Sequence, residues 1–161
     1  MKPVNLLLVL LNAYFILNCI TIERNYCARE LDPNDTRFLM KETYDYSKAN
    51  NPLFLQRPEW LRMATCISAY GFSMGYLLIF WTALTDAWTA GGGSNCFLIT
   101  MFIGAKIYAL LYYHLSEFTH PELAPWDSLV GYWAAEGPYL LAIGLTIYKL
   151  LTAQGKKKKV D

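Results

Sequence analysis

Two side chains of opposite charge stand in otherwise apolar stretches of this chain: Lys106 and Glu136. An ionisable group inside a membrane-spanning segment costs about 2.5–3.5 kcal/mol on insertion scales, so a partner, a ligand or a reaction must justify it. At about 100° per residue, Lys106, Tyr113 and Glu117 fall within about 20° of one line, with Leu110 beside them. Glu136 shares a helix face with Tyr132 and Tyr139, and Trp133 lies on an adjoining face. With a rise of 1.5 Å per residue, Lys106 and Glu136 lie roughly 14 Å and roughly 11 Å below the same membrane surface. They are therefore expected to meet. Gly137-Pro138 follows Glu136, and proline frees the carbonyl of Ala134 so that the helix can kink toward the interior. The chemistry open to such a set is proton donation in an apolar pocket. A desolvated Glu136 or Glu117 can hand a proton to a carbon–carbon double bond, and Trp or Tyr faces can steady the resulting carbocation. No hydrolase triad, phosphate loop or metal-ligand spacing is present in the sequence, and no cofactor is expected. Structural glue is the competing role for the Lys106–Glu136 pair.

The elements that position these residues follow from the distribution of charge. Residues 23–62 hold 14 of the 27 charged side chains and Lys156–Lys159 hold four more, which leaves seven from Met63 to Gly155. A water-facing surface is not built with so few charges, so the chain reads as a polytopic membrane protein. The net charge of +1 excludes nucleic acid as a partner. Apolar segments at about 3–22, 61–84, 96–115 and 129–151 each approach the roughly 20 residues that cross about 30 Å of hydrocarbon. The expected fold is all-α: four transmembrane helices in one bundle over 1–155, then a cytosolic lysine-rich tail over 156–161. A signal peptide is the rival reading of the first segment, but Asn18-Cys19-Ile20-Thr21 offers no small-residue cleavage site.

Four spans put both termini on one side, and Lys2 with the Lys156–Lys159 run makes that side cytosolic. The polar loop between helices one and two then faces the lumen. Within it Thr36 to Tyr46 suits a short helix, and Asn50-Asn51-Pro52 and Arg57-Pro58 stop longer ones. The sequon Asn34-Asp35-Thr36 lies too near the membrane to be expected in use. Thr89 to Asn95 reads as a flexible turn, and His120 to Trp126 as an aromatic-bearing interfacial loop. The four cysteines give no secreted-type framework, and Cys19–Cys66 is the one bridge left open, because both would sit near the same end of neighbouring helices. Lys158 and Lys159 match a dilysine retrieval signal, read by coat proteins that return cargo to the endoplasmic reticulum. A polybasic tail touching anionic lipid is the plainer alternative.

The segment Asn51-Pro52-Leu53-Phe54-Leu55-Gln56-Arg57-Pro58-Glu59-Trp60 resembles the EXPERA domain, as does Glu136-Gly137-Pro138-Tyr139-Leu140-Leu141. Arg29-Glu30-Leu31 with Pro33, and Leu115-Ser116-Glu117-Phe118, are weaker echoes. That family includes the emopamil-binding sterol isomerase and the sigma-two receptor, and the small size and basic C-terminus look most like the receptor branch. The resemblance implies a cavity for a sterol or amphiphilic amine within an endoplasmic reticulum membrane, with acids pairing to the amine. The chain departs from the pattern at three points: Asn51 and Ser68 stand where the family has acids, and residues 61–85 lack the isomerase's His and Glu. Glu23, Glu117 and Glu136 remain as acids able to serve. The expected ligand-binding set is Glu23, Lys106, Tyr113, Tyr132, Trp133, Glu136 and Tyr139. The expected role is binding or handling of a sterol or related hydrophobic molecule. A sterol or terpenoid isomerase with Glu136 or Glu117 as acid is the alternative, and a structural subunit of a homodimer or larger membrane complex is the third.

Overall fold

The computed structural model describes residues 2–88, 94–119 and 128–157. All regular structure among them is helical. We number the elements α1 (Pro3–Ala28), α2 (Met40–Asn50), α3 (Pro52–Gln56), α4 (Glu59–Thr85), α5 (Ser94–Phe118) and α6 (Leu129–Lys157). By length and composition Pro3–Ala28, Glu59–Thr85 and Asn95–Phe118 can each cross a membrane. The fourth long helix, α6, is not among these. It carries Glu136, Pro138 and Lys149, and runs unbroken through its proline.

Polarity is turned inside out relative to a water-soluble bundle. Large apolar side chains such as Leu10, Trp81, Tyr108 and Val130 face outward, whereas Asn5, Asn12, Thr82, Lys106, Glu117 and Thr146 are buried. That is the arrangement lipid favours, since only the interior offers polar partners. On α1 the buried positions Asn5, Leu8, Asn12 and Phe15 recur every three or four residues and form its inward stripe. This stripe packs along α4, joined by α6. One apolar core, around Leu8, Ile79, Ile99, Ile103 and Leu150, fills the end of the bundle where α1 begins. A second, around Phe15, Cys19, Tyr76 and Ala142, lies above it. Gly75 permits this packing: a Cβ there would stand 2.2 Å from the Phe102 ring.

Helix boundaries depart from the expected spans in instructive ways. α1 continues to Ala28, past the expected end at 22, because its last carbonyls find a donor in the chain itself. Arg57 gives hydrogen bonds from Nε and Nη2 to Tyr26 O at 3.0 and 2.8 Å, and from Nη2 to Cys27 O at 3.1 Å. The extension brings Cys27, not Cys19, beside Cys66, and the disulfide is Cys27–Cys66 with Cα atoms 5.1 Å apart. Cys19 stays a buried free thiol against the carbonyl of Ser68. The loop helix starts at Met40 rather than Thr36. Asp35 accepts the backbone N–H and the guanidinium of Arg37, a local side-chain turn that competes with helix. The same hydrogen bonds hold the Asp35 carboxyl down to about 2. Asn50 and Pro58 end and restart the chain as expected. Of the expected turn at 89–95, residues 89–93 lie outside the described residues, as does the loop over 120–127.

At the end of the bundle where α1 begins, Asp86 gathers three helices. It accepts from Lys2 Nζ at 2.6 Å, from Asn5 Nδ2 at 2.8 Å and from Lys149 Nζ at 3.3 Å. The start of α1 and the far part of α6 therefore share one face of the bundle. These hydrogen bonds, that from Lys2 foremost, hold the Asp86 carboxyl well below its ordinary value of 3.8. A depressed carboxyl stabilises the folded state above its unfolded pKa, and that contribution fades as pH falls below about 4. Asp86 is 44% exposed, so solvent and salt screen the effect. Thermal midpoints of the wild type should fall more between pH 5 and pH 2 than those of Asp86→Asn, with the gap narrowing in high salt. Parallel pH profiles for the two would remove the clamp from the stability of the bundle.

Candidate functional site

Two π-helical turns, Cys19–Glu23 in α1 and Ser68–Phe72 in α4, pack against each other. Each inserts an extra residue into the helical repeat and re-aims the side chains around it, a feature frequent at functional sites. Here they bring Glu23, Ser68 and Phe72 to the wall of a cavity of about 710 Å³. Volumes of roughly 300–1,000 Å³ are usual for small-molecule sites. α5 contributes Lys106, Tyr112 and Tyr113 to the wall, and α6 contributes Glu136 and Tyr139. The loop helix α2 closes it with Thr43 and Tyr46, and Leu39 just before it adds to the wall.

That roof is fastened at several points. Asn51 accepts the Phe54 N–H and so caps α3, while its Nδ2 donates to the Tyr113 hydroxyl. Tyr26 donates its hydroxyl to Phe54 O at 2.8 Å and stacks on the Phe54 ring. Tyr46 donates to Gly131 O at 3.3 Å, and α2 lies so close to α6 that a Cβ on Gly131 would clash with Asn50. Burial, reinforced by Glu136 and Glu117, pushes the Tyr46 phenol up, so it remains a donor.

Of the seven expected ligand-binding residues, Glu23, Lys106, Tyr113, Glu136 and Tyr139 line the cavity. Tyr132 and Trp133 do not. Tyr132 is fully buried behind the wall, and Trp133 packs outward against His114 and Phe118. Glu117 is also buried away from the wall. The expected Lys106–Glu136 contact is not made: among the described residues no carboxylate lies within 4.0 Å of the Lys106 ammonium. The ammonium instead faces three rings, with centroids at 4.7 Å for Tyr139, 5.3 Å for Phe72 and 5.6 Å for Tyr76. Ring faces at these distances attract an ammonium. Glu23 and Glu136 act on it electrostatically from α1 and α6. Glu23 lies near Ser68 and Cys19, yet Glu23 Oε2 and Ser68 Oγ fall outside hydrogen-bond geometry.

Behind the wall lies a polar relay that the sequence reading passes over. Tyr132 donates its hydroxyl to Glu117 Oε2 at 2.6 Å, and His114 Nδ1 lies 2.6 Å from that Tyr132 hydroxyl oxygen. With the single O–H committed to an ionised Glu117, the imidazole must donate from Nδ1; with Glu117 protonated, each proton can move one place along the relay. Tyr113 acts on Glu117 from the cavity side, though outside strict hydrogen-bond geometry. The signal for this relay was a spacing of three between His114 and Glu117, one turn apart on α5. Lys158 and Lys159 lie outside the described residues. Among the described residues no cluster suits a metal ion.

Tyr132→Phe should destabilise the protein in detergent by about 1–3 kcal/mol, because it leaves a buried carboxylate short of a donor. Glu117→Gln in the same background should cost much less than it does alone. Thermal unfolding of the double-mutant cycle reads this, and strict additivity would dissolve the relay. No protein-family model matches the chain, and no curated protein or solved structure matches it either.

Proposed function

We propose that this chain binds a sterol or a related hydrophobic amphiphile in the cavity beneath α2, within the membrane of the endoplasmic reticulum. The observation that carries this reading is the cavity itself. It is walled mainly by apolar and aromatic side chains, and Glu23, Lys106 and Glu136 supply a few polar groups on three different helices. A preformed apolar volume with sparse convergent polar groups is what binds a hydrophobic molecule with one polar end. The resemblance to the EXPERA domain supports the same reading, and its Asn51–Trp60 segment is the stretch that caps α3 and α1 beside the cavity. Lipid extraction and mass spectrometry of the purified protein should return a stoichiometric sterol or similar lipid, and Glu136→Gln should reduce it several-fold while the thermal midpoint barely moves. A protein empty of lipid and unable to take up a sterol probe would end this reading.

The second reading, isomerisation of a double bond, draws on Glu136 in the wall and on the Glu117–Tyr132–His114 relay behind it. Glu136 would be the acid, and the relay would resupply protons by way of Tyr113. Turnover of an unsaturated sterol by the purified protein separates enzyme from binder.

In the membrane we infer four spans, with α6 as the fourth, both termini cytosolic, and α2–α3 as a lumenal roof. Two observations support this orientation. Lys2 and Lys149 meet at Asp86 on one face of the bundle, as the positive-inside bias requires. The Cys27–Cys66 disulfide lies at the opposite end, where an oxidising lumen would keep it formed. Single cysteines placed at 40–50 should resist an impermeant thiol reagent in sealed microsomes, and those placed after 155 should react. Replacing Lys158 and Lys159 by Ser should release a tagged protein to later compartments. Labelling at 40–50 without permeabilisation would invert the topology, and a double Ser variant that stays put would remove the retrieval role.

A further inference from the structure

Lys106 is 8% exposed and lines the cavity, and its three N–H donors meet no acceptor among the described residues. Aromatic rings of Tyr139, Phe72 and Tyr76 face the ammonium without consuming a donor. Across the same cavity stand two carboxylates, Glu23 on α1 and Glu136 on α6, neither bonded to it. A third, Glu42, lies on the exposed face of α2 at the cavity's edge. The cavity wall therefore offers the donors of Lys106 and the carboxyl groups of Glu23 and Glu136, none of them bonded to another.

The chemistry of the occupant's polar end follows from what each candidate does to that trio. A carboxylate would satisfy Lys106 and bring a third acid beside Glu23 and Glu136. A protonated amine would satisfy a carboxylate and stand as a second cation next to an ammonium with unmade hydrogen bonds. A ketone accepts from Lys106 and gives nothing to an acid. A hydroxyl accepts through its lone pairs and donates its one proton, so it answers both signs and adds no charge. We propose that the polar end of the bound amphiphile is a neutral hydroxyl, and that Lys106 is the specificity-determining residue that selects it over a cationic amine. This rests on the cavity being the binding site, as argued above.

The test is competition on the purified full-length protein in lipid nanodiscs at pH 7. A radiolabelled 3-hydroxysterol is displaced by the unlabelled hydroxysterol, by its 3-amino derivative and by its 3-keto derivative. On the wild type the hydroxysterol should compete at least tenfold better than the amine, with the ketone between them. Lys106→Met should narrow or reverse the hydroxyl-to-amine ratio by about tenfold, and Lys106→Gln, which restores a neutral donor, should recover part of it. An amine that competes as well as the alcohol on the wild type overturns the proposal without need of any variant. An unchanged ratio in folded Lys106→Met overturns it equally. Failure of every sterol to bind the wild type would instead bring down the cavity reading on which the proposal stands.

Discussion

Turning polar groups inward, in a bundle whose outside is apolar, is the constraint on which the rest of this structure depends. Each of the three helices suited to crossing a membrane carries at least one group that lipid would reject: Asn5, Asn12 and Glu23 on α1, Thr82 on α4, and Lys106 and Glu117 on α5. The folded chain disposes of them in different ways. Near the start of α1, Asn5 finds Asp86, and Asp86 in turn neutralises Lys2 and Lys149. Glu117 obtains the hydroxyl of Tyr132. Lys106, Glu23 and Glu136 are treated otherwise, because they surround open volume rather than one another. A fully paired interior would have been more economical for stability, since a buried charge without a close partner is costly. Leaving these three apart makes sense where something else completes their pairing.

Much of the fold could be read from apolar length, since all four long helices lie over the expected segments with ends displaced by a few residues. The inward line of α5 was equally legible. Lys106, Leu110 and Glu117 follow the helical repeat, and each is buried. What periodicity could not provide was the repeat's own irregularity. Nothing in Cys19–Glu23 marks a π-helical turn, for the extra residue is stabilised by packing on Ser68–Phe72, far away in sequence. Lys106 and Glu136 have compatible depths, but the rings of Tyr139 and Phe72 take up the ammonium first. Depth along a helix is a single coordinate, and contact requires azimuth and side-chain direction as well. The same limit explains Trp133, one residue from Tyr132 and so about 100° around the helix. It faces away from the interior.

The roof over the cavity was the least legible part and the most heavily tied. A 14-charge polar stretch suggests a solvated loop, yet α2 reaches α6 through Tyr46 and Asn50, and α3 is tied to α5 through Asn51. Asn51 illustrates the gap between motif and mechanism. Where the resemblance leads one to look for an acid, an amide performs two tasks that a carboxylate could not combine. Its oxygen caps α3 through the Phe54 N–H, and its nitrogen donates to Tyr113. A carboxylate could cap but not donate, so a departure that removes an acid from the site strengthens the connection between the roof and α5.

These ties bear on how a ligand would enter. The disulfide joins the ends of α1 and α4, Arg57 caps α1 from the junction of α3 and α4, and Asn51 secures α3 to α5. Opening through that side would break a covalent bond or several buried polar contacts together. α2 is held more lightly against α6, by one long hydrogen bond from Tyr46 to Gly131 and by the close approach of Asn50. The outward faces of α4 and α5 near Tyr108 and Tyr112 are apolar, and both tyrosines line the cavity. A hydrophobic molecule dissolved in the bilayer would meet the cavity first at these aromatic side chains, without first crossing water. Its polar end would travel last past aromatic rings and come to rest among Lys106, Glu23 and Glu136. On the proposed reading, a bundle that keeps polarity inside would give binding a direction: the apolar body of a ligand could dissolve in lipid anywhere, but its polar end would be satisfied at one place.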